Sequence, residues 1–180
     1  MKKRIGFALN TSNKGKLAEF QRLFSKQGEA LTATEIDLKE IKADPVSVAV
    51  HKASQVEERV LVDDTSLDVE GAEVGIDVRW MLNHLEAFAG RKAHWRVLLA
   101  YREGDWVFVY EGVVDGTIVP QRGKEGFGFD AVFLPEGAEA TLAQDKPDAV
   151  NARAKAVEAL LYGEPIAKRP RIVDWAGDWQ

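Results

Sequence analysis

Polar and basic side chains follow directly after a short apolar run near the start of the chain. They comprise Thr11, Ser12, Asn13, Lys14, Gly15 and Lys16. Backbone N–H groups and the dipole at the start of a helix favour an anion, and two lysines add positive charge. The residue spacing of a P-loop is missing. Two interpretations stay open, a phosphate-binding turn or a helix capped by Thr11, Ser12 or Asn13.

A second polar group follows the hydrophobic run at 60–62. Asp63 and Asp64 stand side by side there, and Thr65 comes next. Open α/β sheets bind ligands at the carboxyl ends of their strands. Adjacent carboxylates repel each other and favour a bound cation such as Mg²⁺, which prefers oxygen ligands. The alternative is an acidic turn that caps the next segment.

Glycines and aromatic residues alternate in a loop at 121–130. Phe127 and Phe129 flank Gly128, and Asp130 ends the loop. The two rings could stack on a nucleobase, and the Asp130 carboxylate could accept hydrogen bonds from the N–H groups of the base. The alternative is a structured turn whose phenylalanines pack into the core.

A fourth candidate lies near the start of the last predicted helix. Arg153 follows Ala152 there, and Lys146 precedes both. A guanidinium group at this position could contact a carbonyl or a phosphate. The alternative is an exposed arginine on an amphipathic helix.

Alternating strands and helices are predicted to position these side chains. Apolar spacing predicts helices at 14–27, 46–59, 77–88 and 148–162, and strands at 5–9, 31–36, 59–65, 95–101, 106–114, 116–120 and 131–135. The first half alternates as in a parallel sheet, whereas the strands on either side of Gly104 resemble an antiparallel hairpin. We therefore expect an α/β fold with a mixed central sheet and two lobes around a deep cleft. The expected domain covers 1–163, and an irregular tail covers 164–180.

The composition excludes several classes of protein. The chain has 180 residues, 46% of them hydrophobic, which supports one core without disulfides or metal. Because it has no cysteine, a disulfide framework and a cysteine nucleophile are excluded, and a reducing cytoplasm is expected. The net charge of −5 argues against a broad nucleic-acid surface. No run approaches the ~18 apolar residues of a membrane span.

The four stretches, in this order, resemble the inosine triphosphate pyrophosphatase family. The similar motifs are TSNKGK from Thr11, DLKE ending at Glu40, VDDTSL from Val62, GIDVRWML from Gly75, RGKEGFGFD from Arg122, and NAR from Asn151. The resemblance implies a two-lobed fold, a homodimer and dependence on Mg²⁺. It also implies cleavage of a nucleoside triphosphate between its α and β phosphates, with deaminated purine nucleotides as substrates.

The resemblance further implies roles for individual residues. Asp64 would accept a proton, and Lys16 would stabilise charge during catalysis. Magnesium would be held by Glu40 and Asp64, with Asp63 beside them. The expected substrate-binding residues are Thr11, Ser12, Asn13, Lys14, Gly15, Lys16, Thr65, Phe127, Gly128, Phe129, Asp130, Lys146, Ala152 and Arg153.

The chain departs from the family pattern at one point. The family has Ser-His-Arg where this chain has Asn151-Ala152-Arg153. The family histidine helps to sense the 6-keto oxygen of the base, and a buried donor of this kind contributes strongly to discrimination. Because Ala152 lacks such a donor, one alternative is the same reaction on other modified nucleotides. A separate alternative is a non-catalytic nucleotide-binding protein, and the joint presence of Lys16, Glu40, Asp63 and Asp64 argues against it.

Overall fold

The computed structural model describes residues 6–72 and 78–180. The helices are α1 (Lys14–Lys26), α2 (Pro45–Ser54), α3 (Val78–Asn83), α4 (Leu85–Phe88) and α5 (Ala152–Tyr162). The strands are β1 (Phe7–Asn10), β2 (Leu31–Thr34), β3 (Val60–Val69), β4 (Lys92–Glu103), β5 (Trp106–Ile118), β6 (Phe133–Pro135) and β7 (Ala167–Pro170). Ile5 and Asp77, where two predicted elements begin, and the first residues of the GIDVRWML motif lie outside the described residues.

The strands form a seven-stranded mixed sheet, which confirms the expected α/β class. Its order is β2-β1-β3-β4-β5-β6, and β7 pairs with β5 beside this path. Strand β1 lies parallel to β2 and to β3. Strand β5 lies antiparallel to β6 and to β7. The predicted hairpin is formed by β4 and β5, which are neighbours in the sheet and are joined through Gly104, at a φ of 56°.

Several predicted boundaries were wrong, three of them at or near candidate site residues. Helix α2 ends at Ser54 instead of residue 59, because the Gln55 N–H bonds the Lys52 carbonyl and tightens the last turn. Strand β3 continues through the acidic pair to Val69, so the acidic-turn alternative was also wrong. Helix α5 begins at Ala152 instead of Asp148, because Asn151 has an extended backbone.

The tail is not irregular throughout. Strand β7 pairs its residues with Trp106–Val109 of β5, which satisfies backbone groups that an edge strand would leave open. The division into a domain at 1–163 and a tail at 164–180 stays a prediction.

The chain forms two compact units. Unit 1 comprises 1–64, 97–112 and 153–180, and unit 2 comprises 65–96 and 113–152. A cluster of small and branched apolar side chains, including Val50, Val62 and Leu98, forms a core in unit 1. Aromatic side chains pack in unit 2. Over the described ranges, no helix has both the length and the apolar character that crossing a membrane requires.

Candidate functional site

The polar turn before α1 caps this helix. Asn13 is the N-cap residue, and its side-chain oxygen accepts a hydrogen bond of 3.0 Å from the Lys16 N–H. The Thr11 hydroxyl accepts a hydrogen bond of 3.1 Å from the Asn13 N–H. The capping alternative is therefore confirmed for Asn13. The side chains of Ser12 and Lys14 are exposed, as is Gly15.

Lys16 is the side chain of this turn that reaches the acidic pair. Its Nζ atom donates a hydrogen bond of 3.0 Å to Oδ2 of Asp63. Asp63 lies in β3 and is only 7% exposed. A charged hydrogen bond that is largely enclosed is stronger and better fixed than an ion pair at the surface. The phosphate-binding and acidic stretches predicted from the sequence therefore come together in unit 1.

Lys52 is a site residue that the sequence reasoning missed. From the last turn of α2, its Nζ atom donates a hydrogen bond of 2.7 Å to the Asp63 carbonyl oxygen. It also lies 3.2 Å from Oε1 of Glu40. A signal was present, because Lys52 falls four residues after Val48 and three after Ala49, on the apolar side of the helix.

Asp64 has an altered acidity. Burial raises the pKa of its carboxyl group to about 6, and the neighbouring charges of Glu40 and Asp63 raise it as well. The positive charges of Lys52 and Lys16 act in the opposite direction. A carboxyl group with this pKa can exchange a proton close to neutral pH, as a general base must.

The acidic side chains fit a divalent cation that is shared with a phosphate ligand. Among residues 6–72 and 78–180, no three acidic or histidine side chains surround one ion position. Mg²⁺ usually takes only one or two carboxylates and fills its shell with water and phosphate oxygens. The negative charge of Glu40 lies close enough to Asp64 to raise the pKa of the Asp64 carboxyl group. A bound cation would relieve this repulsion.

Asp130 organises the glycine-rich loop in unit 2. Its buried carboxylate accepts a hydrogen bond of 3.1 Å from the Phe127 N–H and one of 2.8 Å from Nζ of Lys146. The same Nζ atom lies 4.9 Å from the centre of the half-buried Phe127 ring. A Cβ atom at Gly126 would collide with the Asp130 carboxylate, so only glycine fits there.

The two phenylalanines of the loop differ in their environment. Phe129 is buried, and its ring packs edge-to-face against Trp95 at 5.9 Å and Phe133 at 5.7 Å. The core alternative therefore describes Phe129, whereas Phe127 keeps part of its ring accessible. Gly128 is exposed between them, at a φ of 62°.

Arg153 is not an exposed arginine, so that alternative was wrong. Its Nη1 atom lies 3.1 Å from Oε2 of Glu19 in α1, with 4% and 10% of the two side chains exposed. No sequence signal marked Glu19 as its partner. Ala152 is fully buried. Thr65 is half-buried in the part of β3 that belongs to unit 2.

Comparisons with known proteins give a consistent result. The model of the Ham1 family matches residues 7–162. The chain is 33% identical to an inosine triphosphate pyrophosphatase from Yarrowia lipolytica, over 83% of this chain and 90% of that protein. It is 33% identical to a dITP/XTP pyrophosphatase from Thermococcus kodakarensis, over 76% of this chain and 83% of that protein.

A solved structure is also similar. It is the crystal structure of a nucleoside-triphosphatase / dITP/XTP pyrophosphatase from Mycobacterium abscessus, with a TM-score of 0.55 and 25% sequence identity. The match covers 88% of this chain and 98% of that one.

Proposed function

The chain belongs to the Ham1 family, and we propose that it is a hydrolase that cleaves nucleoside triphosphates between the α and β phosphates. The products are a nucleoside monophosphate and pyrophosphate. The names of the relatives support deaminated purine nucleotides as substrates, namely ITP, dITP and XTP. The observation that carries the proposal is the pairing of Lys16 with Asp63, next to an Asp64 carboxyl group whose pKa is about 6.

The start of α1 binds the triphosphate in this proposal. The backbone N–H groups of its first turn and the ammonium group of Lys16 stabilise negative charge on the leaving pyrophosphate. Thr11 and Asn13 stabilise the turn through their hydrogen bonds. The exposed side chains of Ser12 and Lys14 add a hydroxyl and an ammonium group as further phosphate contacts. Gly15 adds no side chain in the first turn, which leaves room for phosphate oxygens.

Asp64 is the proton acceptor of the proposed reaction. Phosphoryl transfer depends on positioning and charge stabilisation, together with a water molecule that loses its proton. The Asp64 carboxylate accepts that proton, and Lys52 and Lys16 keep it ionised near neutral pH. Glu40 and Asp64 would hold Mg²⁺, with Asp63 beside them, and the bound ion would neutralise phosphate charge and lower the pKa of water.

Unit 2 supplies the residues that we assign to the base. Phe127 is better suited to stacking than Phe129, because part of its ring is accessible. Asp130 and Lys146 offer an acceptor and a donor for the edge of the base. Further contacts are assigned to Thr65, Gly128, Phe129 and Ala152 of unit 2, and one to Arg153, which belongs to unit 1.

A second candidate is the same reaction on other modified nucleotides. It is favoured by Ala152, which is fully buried and offers no donor to a 6-keto oxygen. We also propose a homodimer, on the basis of the resemblance, and a cytoplasmic location, with which the lack of cysteine is compatible.

The test is incubation of the purified protein and Mg²⁺ with ITP, dITP, XTP and the common triphosphates. Pyrophosphate and orthophosphate are assayed separately, and Asp64→Asn serves as the inactive control. We expect pyrophosphate from the deaminated purine nucleotides. Orthophosphate as the sole primary product would contradict the proposal, and tight triphosphate binding without turnover would support a non-catalytic nucleotide-binding protein instead.

A further inference from the structure

Glu40 lies on a segment that has little regular structure of its own. In the described part of the chain, residues 35–40 adopt neither helix nor strand, and Ile41 forms an isolated bridge with Trp179. The start of the segment is held by Asn10, whose amide exchanges two hydrogen bonds with the backbone of Ile36, at 2.8 and 3.0 Å. Glu40 lies at the opposite end of this segment, so its position depends on the contacts that hold residues 40–42.

The last residues of the tail hold that end. The Gln180 N–H donates a hydrogen bond of 3.0 Å to the Glu40 carbonyl oxygen, and the Gln180 side chain donates one of 2.9 Å to the Ile41 carbonyl oxygen. The Lys42 N–H donates a hydrogen bond of 2.9 Å to the Asp178 carbonyl oxygen. We call this set of contacts the tail clasp. It fixes the backbone at Glu40 and on its C-terminal side.

The tail is itself well anchored before it reaches Glu40. After β7, the Ile172 N–H donates a hydrogen bond of 2.9 Å to the Ser54 hydroxyl oxygen. The Trp175 indole N–H donates one of 2.9 Å to the Asp178 carbonyl oxygen and closes a turn. The Trp179 ring packs edge-to-face on the buried His51 ring at 5.3 Å. Because the tail is anchored in this way, the tail clasp can hold the Glu40 backbone in one position.

The side chain of Glu40 points to the acidic site. Its carboxylate lies 3.2 Å from Nζ of Lys52, which in turn bonds the backbone of Asp63. Ile41 is fully buried, which orients the backbone at this point. Some residues do not touch a metal ion themselves but orient the side chains that bind it. Removal of such residues typically lowers metal affinity by about 10–100-fold.

We propose that residues 178–180 are positioning residues for Glu40, so that the affinity of the acidic site for a divalent cation depends on the tail clasp. The inference rests on the proposed function insofar as Glu40 is a cation ligand. The tail residues themselves contact neither substrate nor metal in this proposal. They act by holding the Glu40 backbone.

The experiment measures Mn²⁺ binding to the protein by electron paramagnetic resonance, without nucleotide. It compares the unaltered protein with a variant that lacks residues 178–180 and with Gln180→Ala, which removes one hydrogen bond. Val173→Ala is the matched control, because Val173 lies in the same tail and is 70% exposed. We expect the Kd for Mn²⁺ to rise about tenfold or more in the deletion, and less in Gln180→Ala. The control should leave it unchanged.

A second pair of variants keeps the test decisive if the deletion does not fold. Trp179→Ala should weaken Mn²⁺ binding, whereas Trp179→Phe, which keeps a ring against His51, should restore it. The melting temperature in EDTA is measured for every variant. An unchanged Kd in Trp179→Ala and in the deletion, or equal weakening in the control, would overturn the inference. So would a lack of Mn²⁺ binding by the unaltered protein.

The outcome is distinguishable from a failure of the proposed function. If the unaltered protein binds Mn²⁺ with an affinity that depends on the tail clasp but hydrolyses no triphosphate, the proposed function fails and the positioning role stands. If it hydrolyses ITP with the same half-saturating Mg²⁺ concentration in all variants, the proposed function stands and the positioning role fails.

Discussion

Lys52 and Glu40 form an ion pair of 3.2 Å between the last turn of α2 and the irregular segment that precedes this helix. The positive charge of Lys52 also lowers the pKa of Asp64, against the effects of burial and of the neighbouring carboxylates. Lys52 thus favours the ionised form of the Asp64 carboxyl group. The balance of charges around Asp64 leads to the first two predictions.

Replacement of Lys52 by methionine should change the pH dependence of turnover. The variant loses a charge that lowers the pKa of Asp64, so this pKa should rise above its value of about 6. A base with a higher pKa is protonated over a wider acidic range, and the acid limb of kcat/KM should move to higher pH. The measurement is a pH–rate profile with ITP. Lys39→Met, at an exposed position, is the control, and an unmoved acid limb would contradict the prediction.

Asp64→Asn should change the pH dependence of stability in the absence of metal. Burial raises the folded-state pKa of Asp64 from 3.8 to about 6, so the proton binds more tightly in the folded state. The stability that this group contributes is fully present below pH 3.8 and is lost as the pH rises through about 6. At about 1.4 kcal/mol per pKa unit, the loss amounts to roughly 2–3 kcal/mol.

Urea unfolding at several pH values in EDTA tests this prediction. The free energy of unfolding of Asp64→Asn, relative to the unaltered protein, should increase between pH 4 and pH 7 by about the same 2–3 kcal/mol. A difference that does not change with pH would show that Asp64 does not titrate with a raised pKa. The same variant should lose activity by about 10²–10⁴-fold, because it lacks the proposed general base.

Arg153→Met should destabilise the protein strongly. The variant leaves the Glu19 carboxylate largely buried without its guanidinium partner, and breaking a buried pair costs about 3–5 kcal/mol. Adding Glu19→Gln should recover part of the loss, since it removes the buried carboxylate charge that Arg153 faced. Urea unfolding of the two single variants and the double variant gives the coupling free energy. A coupling close to zero would contradict a structural ion pair.

Lys146→Met should affect substrate binding more than turnover. The variant removes the ammonium group that donates a 2.8 Å hydrogen bond to the buried Asp130 carboxylate and lies over Phe127. In the proposed function Lys146 also donates to the edge of the base, and a hydrogen bond that involves a charged group contributes about 1.5–3 kcal/mol, so KM should rise about tenfold or more. Steady-state kinetics with ITP separates KM from kcat. Lys124→Met, exposed in the same loop, should leave KM unchanged. A fall in kcat alone would argue against base contacts by this loop.

Much of the fold was predictable because its elements are local. The apolar spacing after Asn13 marked α1, and the residues around Gly104 marked the hairpin. The C-terminal end of α2 and the existence of β7 were not predictable in this way. Strand β7 contains Ala167, Lys168, Arg169 and Pro170, and it forms because β5 offers it an edge.

Only the site residues that lie within recognisable sequence motifs were predictable. The acidic pair and the turn before α1 were identified, and Lys16 does contact Asp63. The partners Lys52 and Glu19 were missed, because their roles come from contacts made after folding. Glu19 and Arg153 are 134 positions apart in the sequence. Helical periodicity predicts contacts only between residues three or four positions apart, so it could not indicate this pair.

The division of the chain has a consequence for recombination between relatives. Unit 2 is built from two separate stretches, 65–96 and 113–152. If unit 2 contacts the base as proposed, a chimera that takes its nucleobase preference from another family member must exchange both stretches together. Its four crossover points fall at 64/65, 96/97, 112/113 and 152/153. Two of these junctions separate Asp64 from Thr65 and Ala152 from Arg153. A crossover displaced by one residue at either junction can therefore move Asp64, or the ion-pairing Arg153, into the wrong parent.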